Sequence, residues 1–166
     1  WRKDSDYIID FYDRLSNHQT EEGVVVVYGS MYGNTKLMAK RIARVLAENG
    51  IKNVEIFDAA RSDDSFILSE IWKYKGVIIG SCAYNTKVFP PVESILSALE
   101  NRKLKNRFIG AFGSYSWSGG GVKGIKEYID NSNLELIEPI IESKHAPAES
   151  NFNKCDDLAK NMAEKI

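Results

Sequence analysis

The sequence predicts an α/β domain of the doubly wound type, in which helices cover both faces of a five-stranded parallel sheet. From residue 23 to the C-terminus, short apolar runs alternate with longer segments whose apolar residues recur at three- and four-residue steps. The first run, 23–28, consists largely of valine, as expected for a strand that is buried on both faces. A parallel sheet covered by helices accounts for both observations.

The elements follow one another in order along the chain. The predicted strands are 23–28, 54–57, 76–81, 108–113 and 135–142. The predicted helices are 34–49, 65–73, 90–99, 120–131 and 150–166, with one more at 5–15 before the first strand. We expect Gly50 to end its helix, Ser150 to cap the last helix, and Leu37 and Phe66 to face inward.

Composition limits the possible functions. The 166 residues suit one folded domain, 23–166, preceded by a helical linker segment, 1–22. A net charge of −1 argues against nucleic-acid binding, and no apolar run is long enough to cross a membrane. Cys82 and Cys155 form no Cys-x-x-Cys motif, and His18 and His145, both expected to be exposed, lack metal-ligand spacing. We therefore expect a cytoplasmic protein without a metal site.

Three predicted strands end in unusual loops, after Tyr28, Gly80 and Phe112. Ligands of open parallel sheets bind at the carboxyl ends of the strands, so these loops should share one rim. The first loop, 29–35, runs from a strand into a helix and combines Gly33 with hydroxyl and amide side chains. Backbone N–H groups and the helix dipole at such a position bind phosphate. The alternative is a hydroxyl-rich turn that binds nothing.

The second loop, 81–86, and the third, 113–121, place aromatic residues among small and polar ones. Tyr84 and Trp117 either stack on a flat ligand or cap the core. Because all three loops share one rim, we favour a flat phosphorylated ligand. Neither a P-loop nor a Gly-x-Gly-x-x-Gly fingerprint is present.

Several motifs carry a resemblance to a known family. Ser30-Met31-Tyr32-Gly33-Asn34-Thr35 is similar to a flavodoxin phosphate loop, and the whole of 24–166 resembles a flavodoxin. Tyr84-Asn85, Phe89-Pro90-Pro91-Val92 and the third loop resemble more narrowly the C-terminal flavodoxin-like domain of flavodiiron proteins, as do Trp1-Arg2-Lys3-Asp4. The family often has Pro-Thr where this chain has Cys82-Ala83. Backbone contacts are then expected at Ala83, and Cys82 either lies near the cofactor or is a small buried residue.

The resemblance implies strand order 2-1-3-4-5 and FMN as cofactor, with no catalytic residue. The cofactor-binding residues that it implies, together with the loop chemistry, are Ser30, Met31, Tyr32, Gly33, Asn34, Thr35, Ser81, Cys82, Ala83, Tyr84, Asn85, Ser114, Tyr115, Trp117, Ser118, Gly119 and Gly120.

The resemblance also implies partners. It places a di-iron domain in the same polypeptide, where oxygen or nitric oxide is reduced, and a donor such as rubredoxin or a reductase. It allows for a homo-oligomer of the full-length protein. This chain alone is then an electron carrier and part of an oxidoreductase. The alternatives are a free-standing flavodoxin shuttle and a flavodoxin-fold NAD(P)H:quinone reductase.

Overall fold

A computed structural model of the chain describes residues 5–166. Trp1-Arg2-Lys3-Asp4, which carry part of the resemblance, lie outside the described residues. The helices of the described part are α1 Ser5–Ser16, α2 Asn34–Glu48, α3 Asp64–Lys73, α4 Pro90–Asn101, α5 Gly121–Asp130 and α6 Glu149–Lys165. Its strands are β1 Glu21–Gly29, β2 Val54–Asp58, β3 Tyr74–Tyr84, β4 Lys87–Val88, β5 Phe108–Tyr115, β6 Glu135–Leu136 and β7 Ile141–Lys144.

The sheet confirms the predicted architecture. Strands β2, β1, β3 and β5 are parallel neighbours in that order, and β6 and β7 both pair with β5 on its outer side. If the hairpin strand β4 is left out and β6 and β7 are counted as one interrupted strand, this order matches 2-1-3-4-5. Val24 and Val26 pack on the face covered by α2 and α6, whereas Val25 and Val27 pack on the face covered by α3, α4 and α5. The valine run is therefore buried on both faces.

Two parts of the sheet differ from the prediction. The expected strand 135–142 is interrupted between Leu136 and Ile141, where Pro139 has no N–H to donate to a ladder. The short strand β4, which was not predicted, pairs antiparallel with Ala83 and Tyr84 at the end of β3. Two residues are too few to show strand periodicity, so the hairpin is visible only in three dimensions.

Three side-chain predictions were wrong. Leu37 and Phe66 are exposed, because the buried stripes of α2 and α3 run through other residues, such as Met38 and Ile67. Ser150 lies inside α6 and does not cap it. Asn151 accepts a hydrogen bond from the Ala148 N–H instead, and α6 begins one residue earlier than predicted.

The N-terminal boundary stays a prediction. Strand β1 begins at Glu21, two residues before the expected start of the domain at residue 23. Helix α1 precedes it, close to its predicted bounds. None of the helices within residues 5–166 is long and apolar enough to span a membrane.

Candidate functional site

A cleft of about 450 Å³ opens at the carboxyl ends of β1, β3 and β5. Its volume is in the range of roughly 300–1,000 Å³ found for small-molecule and cofactor sites. The three loops singled out in the sequence form its walls. The lining residues are Ser30, Met31, Tyr32, Asn34, Cys82, Ala83, Tyr84, Asn85, Thr86, Ser114, Tyr115, Ser116, Trp117 and Ser118.

The cleft contains most of the residues expected there. The predicted residues that lie outside its lining are Gly33, Thr35, Ser81, Gly119 and Gly120. Thr86 and Ser116 also line the cleft. Both belong to the predicted loops, 81–86 and 113–121, but they were not among the residues singled out individually.

The first loop leaves the start of α2 open to a ligand. Gly33 precedes the helix with φ = 90°, a left-handed conformation that glycine adopts without strain, and its N–H donates to Ser30 Oγ over 3.0 Å. No side chain of residues 5–166 caps the helix. The N–H groups of the first turn have no carbonyl within the helix to bind, so they can donate to an anion.

The second loop uses its serine hydroxyl internally. Ser81 Oγ donates to the Cys82 carbonyl over 2.8 Å and accepts from the Phe89 N–H over 3.0 Å. The second bond joins β3 to the residue that directly follows β4. Any contact of Ser81 with a ligand would therefore come from its backbone.

Cys82 was expected either to lie near the cofactor or to be a small buried residue. Its side chain is buried and also lines the cleft. Burial raises the pKa of the thiol, whereas a hydrogen bond with the Met31 backbone favours the thiolate less strongly. The thiol therefore stays protonated at neutral pH and connects the second loop to the first.

The glycines of the third loop are needed because this loop lies directly on the second. A Cβ at Gly120 would stand 2.1 Å from the Thr86 carbonyl oxygen, and one at Gly121 would stand 2.9 Å from that of Ser81. Any side chain at Gly120 would push the two loops apart.

Gly119 lies against a different residue. A Cβ at Gly119 would stand 2.9 Å from Glu142 Oε1. Burial raises the pKa of the Glu142 carboxyl group.

Two aromatic rings stand beside the opening of the cleft. Trp117 is 93% exposed and therefore packs against almost nothing in the protein. Tyr84 is also exposed, and its ring makes an edge contact with Phe89 at a centroid distance of 6.1 Å. Trp117 therefore does not cap the core, and both rings are available for stacking.

A hydroxyl pair connects the first loop to the third. Thr35 Oγ1 and Ser114 Oγ lie 2.9 Å apart, and both side chains are buried. Thr35 belongs to the first turn of α2, and Ser114 lies near the end of β5. Thr35 is not among the residues that line the cleft, but its hydroxyl contacts Ser114, which is. Its contact with the cofactor stays a prediction.

The described residues that line the cleft include no Lys, Arg, His, Asp or Glu. Hydroxyls, backbone N–H groups at a helix start and exposed aromatic rings are together suited to a ligand that carries a phosphate and a flat ring. FMN has both parts, so the donor set fits it. Residues 5–166 contain no group of three or more His, Cys, Asp or Glu side chains that could hold a metal ion.

Comparison with known proteins agrees with this chemistry. The model of the flavodoxin family matches residues 26–165. The chain belongs to the flavodoxin family. Flavodoxins bind FMN, and this chain is an FMN-binding electron-transfer domain.

Individual relatives show how much of each longer or shorter protein this chain matches. The anaerobic nitric oxide reductase flavorubredoxin of Aeromonas hydrophila is 31% identical over 165 residues, which are 98% of this chain and 33% of that protein. The rubredoxin oxygen:oxidoreductase of Desulfovibrio gigas superimposes on 96% of this chain and 40% of its own, with a TM-score of 0.90 and 25% identity. An archaeal flavodoxin superimposes on 86% of this chain and 97% of its own, with a TM-score of 0.76 and 26% identity.

The chain thus spans about a third of the length of the curated relatives it matches. Its fold and extent are those of the flavodoxin-like module of flavodiiron proteins.

Proposed function

We propose that this domain delivers electrons to a di-iron centre that another domain of the same polypeptide carries, where oxygen or nitric oxide is reduced. One observation supports this most. The flavodoxin model begins at residue 26, whereas the match to the three-fold longer flavorubredoxins takes in 98% of the chain. The match therefore includes the N-terminal segment that flavodoxins as a family do not require.

Each wall of the cleft has a separate role in this proposal. The first loop, Ser30–Thr35, binds the phosphate with the N–H groups at the start of α2. Trp117 and Tyr84 flank the ring, and backbone groups of the second and third loops bind its edge. FMN supplies the redox chemistry, because it accepts and releases one or two electrons. The protein positions the cofactor and excludes water from one side of it.

We further propose that a rubredoxin-type protein or a reductase supplies the electrons. Two relatives support this by name, since one is a flavorubredoxin and another a rubredoxin oxygen:oxidoreductase. A cytoplasmic setting suits the two cysteines, Cys82 and Cys155, which are free and buried. We also propose that residues 1–22 act as the linker to the preceding domain.

The cofactor site can be tested with the flavin-free 166-residue chain. Added FMN should bind and its fluorescence should be quenched, because an aromatic ring stacked on a flavin provides a path for deactivation. Asn34→Ala should weaken FMN binding about tenfold and leave riboflavin, which lacks the phosphate, nearly unchanged. Equal losses for both ligands would contradict the phosphate role of the first loop.

The proposed acceptor can be tested with the intact gene product. We expect it to bind two iron atoms and to consume oxygen or nitric oxide when reduced rubredoxin is supplied. The FMN-loaded 166-residue chain should accept electrons but consume neither gas at a comparable rate. An intact product that binds no iron would support the free-standing shuttle instead. Rapid NAD(P)H-driven quinone reduction by the 166-residue chain would support the quinone reductase.

A further inference from the structure

We propose that Asn106 and Arg107 hold the backbone of His18 in a linker clamp, which positions the cofactor cleft relative to the domain that precedes this one in the polypeptide. This inference rests on the proposed function, in which residues 1–22 link the two domains. Domains that are joined by a flexible linker change their relative position unless a large interface holds them. Electron transfer needs a short distance, so a linker that is held where it reaches the sheet keeps the cleft in a suitable place.

The linker clamp joins one carbonyl oxygen to two donors. Asn106 Nδ2 donates to the His18 carbonyl oxygen over 3.1 Å, and Arg107 Nη1 donates to the same oxygen over 3.2 Å. His18 lies between the end of α1 and the start of β1, 88 and 89 positions before the two donors. The segment after α1 is therefore tied to the loop that leads into β5.

Arg107 cannot follow the linker if the linker moves. Its guanidinium group is buried, and it also donates to the carbonyl groups of Ile71 and Trp72 in the last turn of α3. No carboxylate of residues 5–166 forms an ion pair with it. A buried cation needs polar partners, and the carbonyl groups of folded elements are fixed in position. The His18 carbonyl is therefore one of a set of partners for which no mobile carboxylate substitutes.

The other donor, Asn106, is oriented from a different element. Its Oδ1 accepts a hydrogen bond from Lys75 Nζ over 2.6 Å, so the amide nitrogen is the atom left to face His18. His18 and Asn106 both have a left-handed backbone, with φ of 53° and 56°. This conformation is uncommon outside glycine and persists where the surrounding structure holds it. The His18 ring also lies beside Trp72, at a centroid distance of 6.2 Å, so the linker is held by more than its carbonyl.

Asn106→Asp separates positioning from stability. Aspartate has nearly the same shape, tolerates a left-handed backbone and can still accept from Lys75, but it cannot donate to the His18 carbonyl. Because Asn106 is exposed, the domain should stay folded with an unchanged urea midpoint. The linker should be released, while the cofactor cleft at the opposite end of the sheet is unaffected.

The first measurement is amide hydrogen exchange of the 166-residue chain. The Gln19 N–H donates to the Arg14 carbonyl over 2.9 Å, one residue after the clamped His18. The loss of one hydrogen bond should make this amide exchange about five- to tenfold faster in Asn106→Asp. Asn106→Gly removes the amide and keeps the left-handed backbone, so it should give the same result.

The matched control is Asn161→Asp. This substitution makes the same change of charge and breaks a bond of the same kind, from Asn161 Nδ2 to the Glu138 carbonyl over 2.8 Å. Asn161 is exposed on α6, away from the linker. The exchange of the Gln19 amide should therefore be the same as in the wild type.

The second measurement is made on the intact gene product, which is reduced without oxygen and then mixed with oxygen or nitric oxide. Reoxidation of FMN should be about five- to tenfold slower in Asn106→Asp than in the wild type and Asn161→Asp, because the domains spend less time in a suitable arrangement. FMN affinity should be the same in all three proteins. In the FMN-loaded 166-residue chain, both variants should reoxidise at the wild-type rate.

Unchanged exchange of Gln19 in Asn106→Asp would overturn the clamp. Faster exchange with an unchanged reoxidation rate, or with a loss of FMN affinity, would overturn its positioning role. In these cases a wild-type product that binds iron and consumes either gas would leave the proposed function intact. A wild-type product that binds no iron would overturn the proposed function and the positioning role together, and the exchange result alone would then decide the clamp.

Discussion

The two ends of the sheet differ in whether their polar groups find hydrogen-bond partners within the protein. At the amino ends of the strands, the Arg107 guanidinium is buried, with only 2% of the residue exposed, and backbone carbonyls satisfy it. These carbonyls belong to His18, Ile71, Trp72, Lys105 and Asn106. At the carboxyl ends, the start of α2 has no side-chain cap among the described residues, and Trp117 is almost fully exposed.

The difference separates stability from binding. Arg107 joins the segment after α1, the end of α3 and the loop before β5, so its hydrogen bonds hold the base of the domain together. Around the cleft, the N–H groups at the start of α2 and the ring of Trp117 remain available, because no side chain of residues 5–166 caps the helix and the ring is exposed. Substitutions at the base should therefore affect unfolding, and substitutions at the cleft should affect cofactor affinity.

The largest expected effect is at the base. Arg107→Met keeps much of the side-chain volume but removes the donors from several buried carbonyls, so the free energy of unfolding should fall by about 3–5 kcal/mol. Burial lowers the pKa of Arg107 to about 10, and the group is still charged at neutral pH. Urea unfolding measures the loss, and the exposed Arg102→Met is the matched control. A loss of FMN affinity without a loss of stability would contradict the separation.

The next effect is at the cleft. In Gly120→Ala, the new methyl group would meet the Thr86 carbonyl, and the third loop would have to move away from the second. FMN binding should weaken about 100-fold, while the free energy of unfolding falls by only about 1–3 kcal/mol. Gly50→Ala, at a left-handed position far from the cleft with open space around it, should cost stability but no affinity. Equal FMN affinities of both variants would refute the role given to this loop contact.

A smaller effect is expected at Trp117. Trp117→Ala should weaken FMN binding about tenfold through lost stacking, and Trp117→Phe should recover most of it. Because the indole packs against almost nothing, the free energy of unfolding should change by less than about 0.5 kcal/mol. Isothermal titration and urea unfolding measure the two quantities. A clear drop in stability would show that Trp117 does pack in the domain.

The smallest effect is a pH dependence at the base. Burial, with smaller contributions from Arg107 and Lys105, lowers the pKa of His18 from its ordinary value of 6.5, and its Nδ1 has no hydrogen-bond partner among residues 5–166. Folding therefore disfavours the protonated ring, so the contribution of His18 to stability should be constant above about pH 6.5 and should fall as the pH decreases from there through the folded pKa.

The control for this pH dependence is His18→Asn, since asparagine tolerates the left-handed backbone at this position and does not titrate. The variant should lack this component of the pH profile of stability. FMN affinity should show no His18-dependent change over the same pH range. If the two proteins have parallel stability profiles, His18 is not the titrating group. The sequence interpretation had expected an exposed histidine here, and the structure instead half-buries it beside Trp72.

The succession of strands and helices along the chain, and the three loops around the cleft, could be inferred from the sequence alone. Apolar periodicity is local, and parallel strands bring their carboxyl ends to one rim, so the three loops could be placed together without a structure. The chemistry of the first loop could also be inferred, because a glycine followed by the start of a helix is a local feature.

Which side chains line the cleft, and which polar atoms they contact, followed only from the three-dimensional packing. The pairing of Thr35 with Ser114, the use of the Ser81 hydroxyl inside its own loop and the satisfaction of Arg107 by distant carbonyls all join residues far apart in the chain or depend on where a side chain points. Sequence periodicity records which face of an element is buried, but not which partner each polar atom finds across the fold. That is why the first loop was found from the sequence, whereas the hydrogen bond between Thr35 and Ser114 was not.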